Sequence, residues 1–230
     1  MINEIATFGD SHSKPGFGWY AASQKLGLMF DHKWMGPKLL NTLINSPPPE
    51  FVFAHRPRVN RALFLCAGEI DIRCHSVKVA TEQGISLEDY GSSLADRTFS
   101  WLQALEVPAQ LCVYVPPPPV DEDKNHWNYK LHGVKNWVEY GELKNRIAAG
   151  TADEHSMVGP PDLRRRAHSA YRDKIHSACK NSDILVMDIT EKIANDEGYL
   201  DTTLGVGVHD NCHVVTPDFF LEWVQNNLPI

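Results

Sequence analysis

A serine hydroxyl becomes a nucleophile where a neighbouring base can take its proton, and the two ends of this chain offer such a pair. The block Phe8-Gly9-Asp10-Ser11-His12-Ser13 follows a short apolar run, Ile5-Ala6-Thr7-Phe8, and the segment after it through Trp19, Tyr20 and Leu26 has helical spacing. A strand that gives way to a helix presents Ser11 at the open edge of a sheet, where a helix N-terminus favours developing negative charge. The plainer reading is a cap, since Ser or Asp at such a junction satisfies the first N–H groups of a helix. Near the other end, in His209-Asp210-Asn211-Cys212-His213, Asp210 stands three residues before His213. One short turn can then hold a carboxylate against Nδ1 of His213 and leave Nε2 to accept a serine proton, although a surface turn carries the same signature.

A metal reading competes for the same residues. His209 and His213 are spaced as in HExxH, with Asp210 in the glutamate position and Asp10 or His12 as further ligands. That motif needs a continuous helix, whereas Gly205-Val206-Gly207-Val208 before it and Thr216-Pro217 after it favour a loop. The expectation is therefore no metal and no cofactor, with His209 supporting the reacting groups from behind, contacting substrate or facing solvent.

These residues need elements to bring them together. Ala62-Leu63-Phe64-Leu65-Cys66-Ala67, Leu111-Cys112-Val113-Tyr114-Val115 and Ile184-Leu185-Val186-Met187-Asp188 are runs of the kind buried on both faces of a sheet. A further extended piece is expected near Leu28 to Trp34. Helices are expected from Lys38 to Ile44, Leu87 to Leu105, Arg164 to Lys180 with Asp162 as cap, and Asp218 to Leu228. Strands alternating with helices predict a mostly parallel sheet covered on both faces. Chemistry in such sheets lies at the carboxyl ends of the strands, which marks Gly9 to Ser13, the loop Gly68 to His75, and the loop after the last strand up to His213.

The chain has 230 residues, 22 Lys and Arg against 29 Asp and Glu, and a formal charge of -7. The length suits one domain, and the acidic balance argues against a nucleic-acid partner. No apolar run reaches the ~20 residues of a membrane span, and Met1 to Phe8 reads as a strand and not as a secretion signal. The five cysteines are odd in number and form no CxxC, so reduced thiols and a cytoplasmic setting are expected. Cys212, beside His213, reads as redox-sensitive or as an inert buried thiol. The stretch from 121 to 161, with Trp127, Tyr129, Trp137 and Tyr140, exceeds an ordinary connection and reads as an insertion or lid. Its aromatic residues suit a platform for a sugar or acyl chain, or packing on the domain's own surface. Arg164-Arg165-Arg166 reads as the solvated face of a helix start, or as a partner for an anionic substrate.

The GDS block after the first strand, the final Asp-x-x-His and the α/β pattern between them together resemble the SGNH (GDSL-like) hydrolases over nearly the whole chain. The likeness is greatest to a branch whose first block reads GDSH and whose middle block reads GEIDxRxH, matched by Gly9-Asp10-Ser11-His12 and by Gly68-Glu69-Ile70-Asp71-Ile72-Arg73-Cys74-His75. The resemblance implies a single three-layer α/β/α domain over residues 1–230 with a flavodoxin-like sheet. It implies Ser11 as nucleophile, His213 as general base and later acid, Asp210 orienting His213, and an oxyanion hole from the N–H groups of Ser11 and Gly36. The family's oxyanion asparagine is replaced by Ile70, which donates no hydrogen bond, so Arg73, His75 or His12 is expected to substitute. Asp10, Gly68, Glu69 and Asp71 are candidates for substrate or oxyanion support. The alternative is that Glu69, Asp71 and Arg73 form a network that fixes the loop. The implied substrate is a small acyl or O-acetyl ester, free or carbohydrate-linked; acyl transfer to a sugar and glycan binding without turnover are the alternatives. Oligomeric state is not encoded in any of these motifs.

Overall fold

The computed structural model describes residues 1–14, 18–35, 39–45, 60–120, 160–204 and 217–230, with only the main chain of Ser11, Cys74 and Thr202. Five strands, β1 (Glu4–Gly9), β2 (Met29–Trp34), β3 (Arg61–Cys66), β4 (Gln110–Tyr114) and β5 (Leu185–Met187), form one sheet in the order β2-β1-β3-β4-β5. Every pairing is parallel. This is the flavodoxin-like order, and it reverses direction between β1 and β3.

The pleat divides the core in two. Ala6, Phe8, Leu63, Leu65 and Val113 face one side, where α2 (Leu40–Ile44), α3 (Ser76–Gln83), α4 (Leu87–Gln103) and α5 (Pro161–Cys179) are drawn up. Ile5, Ala62, Phe64, Cys66, Cys112 and Tyr114 face the other, against Trp19 of α1 (Trp19–Lys25), Ile193 of α6 (Thr190–Ile193) and Phe220 and Val224 of α7 (Pro217–Asn227). Successive residues of a strand point to opposite faces, so strands apolar throughout demand helices on both sides, and three layers result. Strand β2 is the exception: its Met-Phe-Asp-His-Lys-Trp sequence is partly polar, and it lies exposed at the sheet edge.

Local chemistry sets the helix ends. Ser86 accepts a hydrogen bond from Asp89 N–H at 2.9 Å and caps α4. Helix α5 begins at Pro161, one residue before the expected cap Asp162, because proline suits a first-turn position with no N–H to satisfy. Two further corrections concern the middle of the chain. The segment expected as a loop from Gly68 to His75 closes into a π-helical turn, Asp71–His75, that leads directly into α3. Arg164 is not on a solvated face but fully buried, with Nη2 directed to the carbonyl of Val120 at 3.4 Å, while Arg166 stays outside and pairs with Glu88. The expected insertion lies outside the described residues from 121 to 159. No described helix is long and apolar enough to cross a membrane.

Candidate active site

The carboxyl ends of β1 and β3 meet at one point. Gly9 is opposite Cys66 in the parallel register, and a Cβ on Gly9 would stand 2.0 Å from the Cys66 carbonyl oxygen. Its φ of 140° lies where side chains are strained, so glycine is required both for the approach and for the turn. Asp10 N–H then donates to the same Cys66 carbonyl at 3.0 Å, and Met35 N–H donates to the Gly9 carbonyl at 2.7 Å. The chain leaves the sheet clamped between β3 and the end of β2.

The next element is a single 3₁₀ turn, Ser11–Ser13. Helix α1 starts only at Trp19, past Gly18 with its φ of 101°, so the expected helix N-terminus at Ser11 is replaced by this turn. Side chains hold it in place of a longer helix. Asp10 Oδ1 accepts from His12 N–H at 2.9 Å and lies 3.0 Å from His12 Nδ1. Ser13 Oγ donates to the Asp10 carbonyl at 2.8 Å, Thr7 Oγ1 to the Ser13 carbonyl at 2.6 Å, and Trp19 Nε1 to the His12 carbonyl at 3.0 Å. Asp10 and His12 are buried, and Asp10 Oδ2 meets no hydrogen-bond partner among the described residues.

The middle block divides its work. Gly68 turns the chain out of β3 with a φ of 110°. Glu69 and Arg73, four apart and both buried, form an ion pair through Nε and a second contact from Nη2 to Oε2 at 3.2 Å. Asp71 turns elsewhere: its carboxylate accepts from the N–H groups of Leu40 at 2.6 Å and Asn41 at 3.1 Å, capping the start of α2. Burial pushes the Asp71 carboxyl up to about 7, against the pull of those two hydrogen bonds and with a further push from Asp10. Ile70, in the position of the family's asparagine, is a buried side chain with no polar atom. His75 and Asp71 line a cleft of about 340 Å³ together with Asn41, Tyr90, Ser93 and Arg97. Burial, Lys78 and Arg73 all hold the His75 imidazole below its ordinary pKa.

Thus the structure brings Asp10, the main chain of Ser11, and His12 to the end of β1, beside the Gly68 turn, while Glu69 with Arg73 and Asp71 with His75 serve two separate local arrangements. Gly36, His209, Asp210, Cys212 and His213 lie outside the described residues. Among the described residues no group of His, Cys, Asp or Glu is arranged to hold a metal ion. Two residues escaped the sequence reading: Lys14, just past the turn, and Trp34, at the end of β2. The β1–β2 register brings the end of β2 beside the turn after β1, and it had no signature in either segment.

No protein-family model matches the chain, and no curated protein matches it in sequence. Solved structures do match it in shape. A protein assigned to the lipolytic G-D-S-L family from Desulfitobacterium hafniense superposes with a TM-score of 0.51 at 10% identity, covering 97% of this chain and 96% of that one. A GDSL-like lipase from Bacteroides thetaiotaomicron superposes with a TM-score of 0.53 at 9% identity, covering 97% of this chain and 86% of that one. With the strand order and the turn after β1, these similarities give the chain the fold of the GDSL-like, or SGNH, hydrolases that its first and middle blocks resemble.

Proposed function

We propose that the chain is a serine-dependent ester hydrolase of the SGNH type that works through an acyl-enzyme. Ser11 attacks the ester carbonyl while His213, oriented by Asp210, takes the hydroxyl proton and returns it to the leaving alcohol. Water, activated by the same imidazole, releases the acid and restores Ser11. The N–H groups of Ser11 and Gly36 hold the oxyanion. The observation that carries this reading is the clamped GDS turn at the carboxyl end of β1, beside the point where strand order reverses and α/β sheets take their ligands.

The substrate class that fits is a small acyl or O-acetyl ester, and carbohydrate-linked esters belong to it. A fluorophosphonate reagent tests the nucleophile: the wild type is expected to be labelled, and Ser11→Ala, with an unchanged thermal melt, is not. A panel of short acyl esters and acetylated sugars, run on the same two proteins, is expected to show turnover that disappears with Ser11. Equal labelling of both proteins would overturn the proposal. One observation favours a competing reading, a glycan-binding protein with little turnover: the oxyanion asparagine is the buried apolar Ile70, and loss of one such donor costs roughly 10²–10³ in rate. Glycan binding by an unlabelled, folded wild type would select it.

A further inference from the structure

Beside the clamped turn the rim of the site carries an aromatic ring and a cation. Trp34 ends β2 opposite Gly9, and 49% of its surface is exposed. Lys14 comes directly after the Ser11–Ser13 turn, and its Nζ stands 4.0 Å from the centroid of the Trp34 ring. The turn is tied to the same strand, since Ser13 Oγ reaches the Lys33 carbonyl at 3.5 Å. Lys14 and Trp34 are therefore held on two elements that are both anchored to the end of β1.

Among the described residues this arrangement has no evident role in packing. The indole adds little to the core at half exposure, and no carboxylate among the described residues pairs with Lys14, whereas Lys25, Lys174 and Lys192 each meet one. A cation on an indole face is attracted to the ring quadrupole yet keeps its outward N–H groups for an anion. The protein as a whole is acidic, with a formal charge of -7, so an ammonium that meets no carboxylate among the described residues is a local feature and not part of a general positive field.

We infer that Lys14 and Trp34 form a binding wall for an anionic ester, in which Lys14 pairs with a carboxylate on the substrate and the exposed indole takes its apolar face. The inference rests on the proposed reaction at Ser11 and narrows its substrate class. A neutral ester would leave the ammonium without its partner, so the wall discriminates by charge at a point three positions along the chain from the candidate nucleophile.

The test uses O-acetylated glucuronic acid and its neutral methyl ester. Calorimetric titration onto Ser11→Ala separates binding from turnover. The acid is expected to bind about fivefold more tightly than the methyl ester, the upper range for one solvent-accessible ion pair, and about 0.5 M salt should erase most of that difference. Adding Lys14→Met is expected to equalise the two ligands, Lys14→Arg to restore the preference, and Trp34→Leu to weaken both. Equal binding of the two ligands, no binding of the acid, or a preference that survives Lys14→Met would each overturn the inference. Fluorophosphonate labelling of the wild type reports separately on the reaction: preferential binding without labelling refutes the hydrolase reading and leaves the charge-selective wall standing.

Discussion

Glu69 and Arg73 form a buried ion pair four residues apart. Both side chains are sequestered, and two guanidinium nitrogens, Nε and Nη2, are committed to the same carboxylate. Breaking such a pair by removing one partner leaves the other charge buried, at a cost of about 3–5 kcal/mol. Arg73→Met is therefore expected to lower the urea midpoint sharply, and Glu69→Leu/Arg73→Met to recover much of the loss; a double variant no more stable than the single one would contradict the pairing. The types and spacing of these residues were legible in the sequence, as was the choice between network and catalysis. Which acid Arg73 takes was not, because Glu69 and Asp71 both lie within reach in sequence and only the π-helical turn settles their directions. Arg164 was misread for a similar reason: three consecutive arginines look solvated until the helical period carries one of them into the interior.

At the scale of elements, Asp71 is the cap of a five-residue helix supplied from thirty residues away. A helix this short cannot hold itself in water and depends on such contacts. The raised pKa sets the pH dependence. An Asp that ionises near 3.8 unfolded and about 7 folded binds its proton more tightly in the folded state. Its contribution is therefore complete below about 4 and is lost as pH rises toward 7, by up to about 4 kcal/mol. Asp71→Asn is expected to flatten the dependence of stability on pH over that interval, measured by urea unfolding at pH 5 and pH 7.5; an unchanged slope would assign it to another group. The strands β1, β3 and β4 and the helices α4, α5 and α7 were readable from apolar runs and helical period. Helix α3 was not, since Ser-Val-Lys-Val-Ala-Thr-Glu-Gln carries no strong stripe and its start depends on the turn before it.

For the molecule as a whole, a second carboxylate opposes the first. Asp188 comes directly after β5 and accepts from Arg172, His176 and the N–H of Thr190. Burial resists its ionisation, yet these bonds prevail and hold its pKa down at about 2. Its contribution is thus present above about 4 and is lost as pH falls toward 2, the reverse of Asp71. Together the two groups predict greatest stability on the mildly acidic side of neutrality, near pH 4–5. A urea midpoint that climbs steadily from pH 5 to pH 8 would contradict this. The layered fold was readable from the alternation of strands and helices, but the join between Lys14 and Trp34 depends on strand register, which neither segment encodes alone.

The clamp between Gly9, Asp10 and the Cys66 carbonyl also has a bearing on synthesis. While the chain emerges from a ribosome, the residues around Ser11 leave the exit tunnel long before their anchor does. Until residue 66 is free to pair, that turn lacks its anchor on β3, so a nascent chain carries Ser11 without the full setting of the folded molecule.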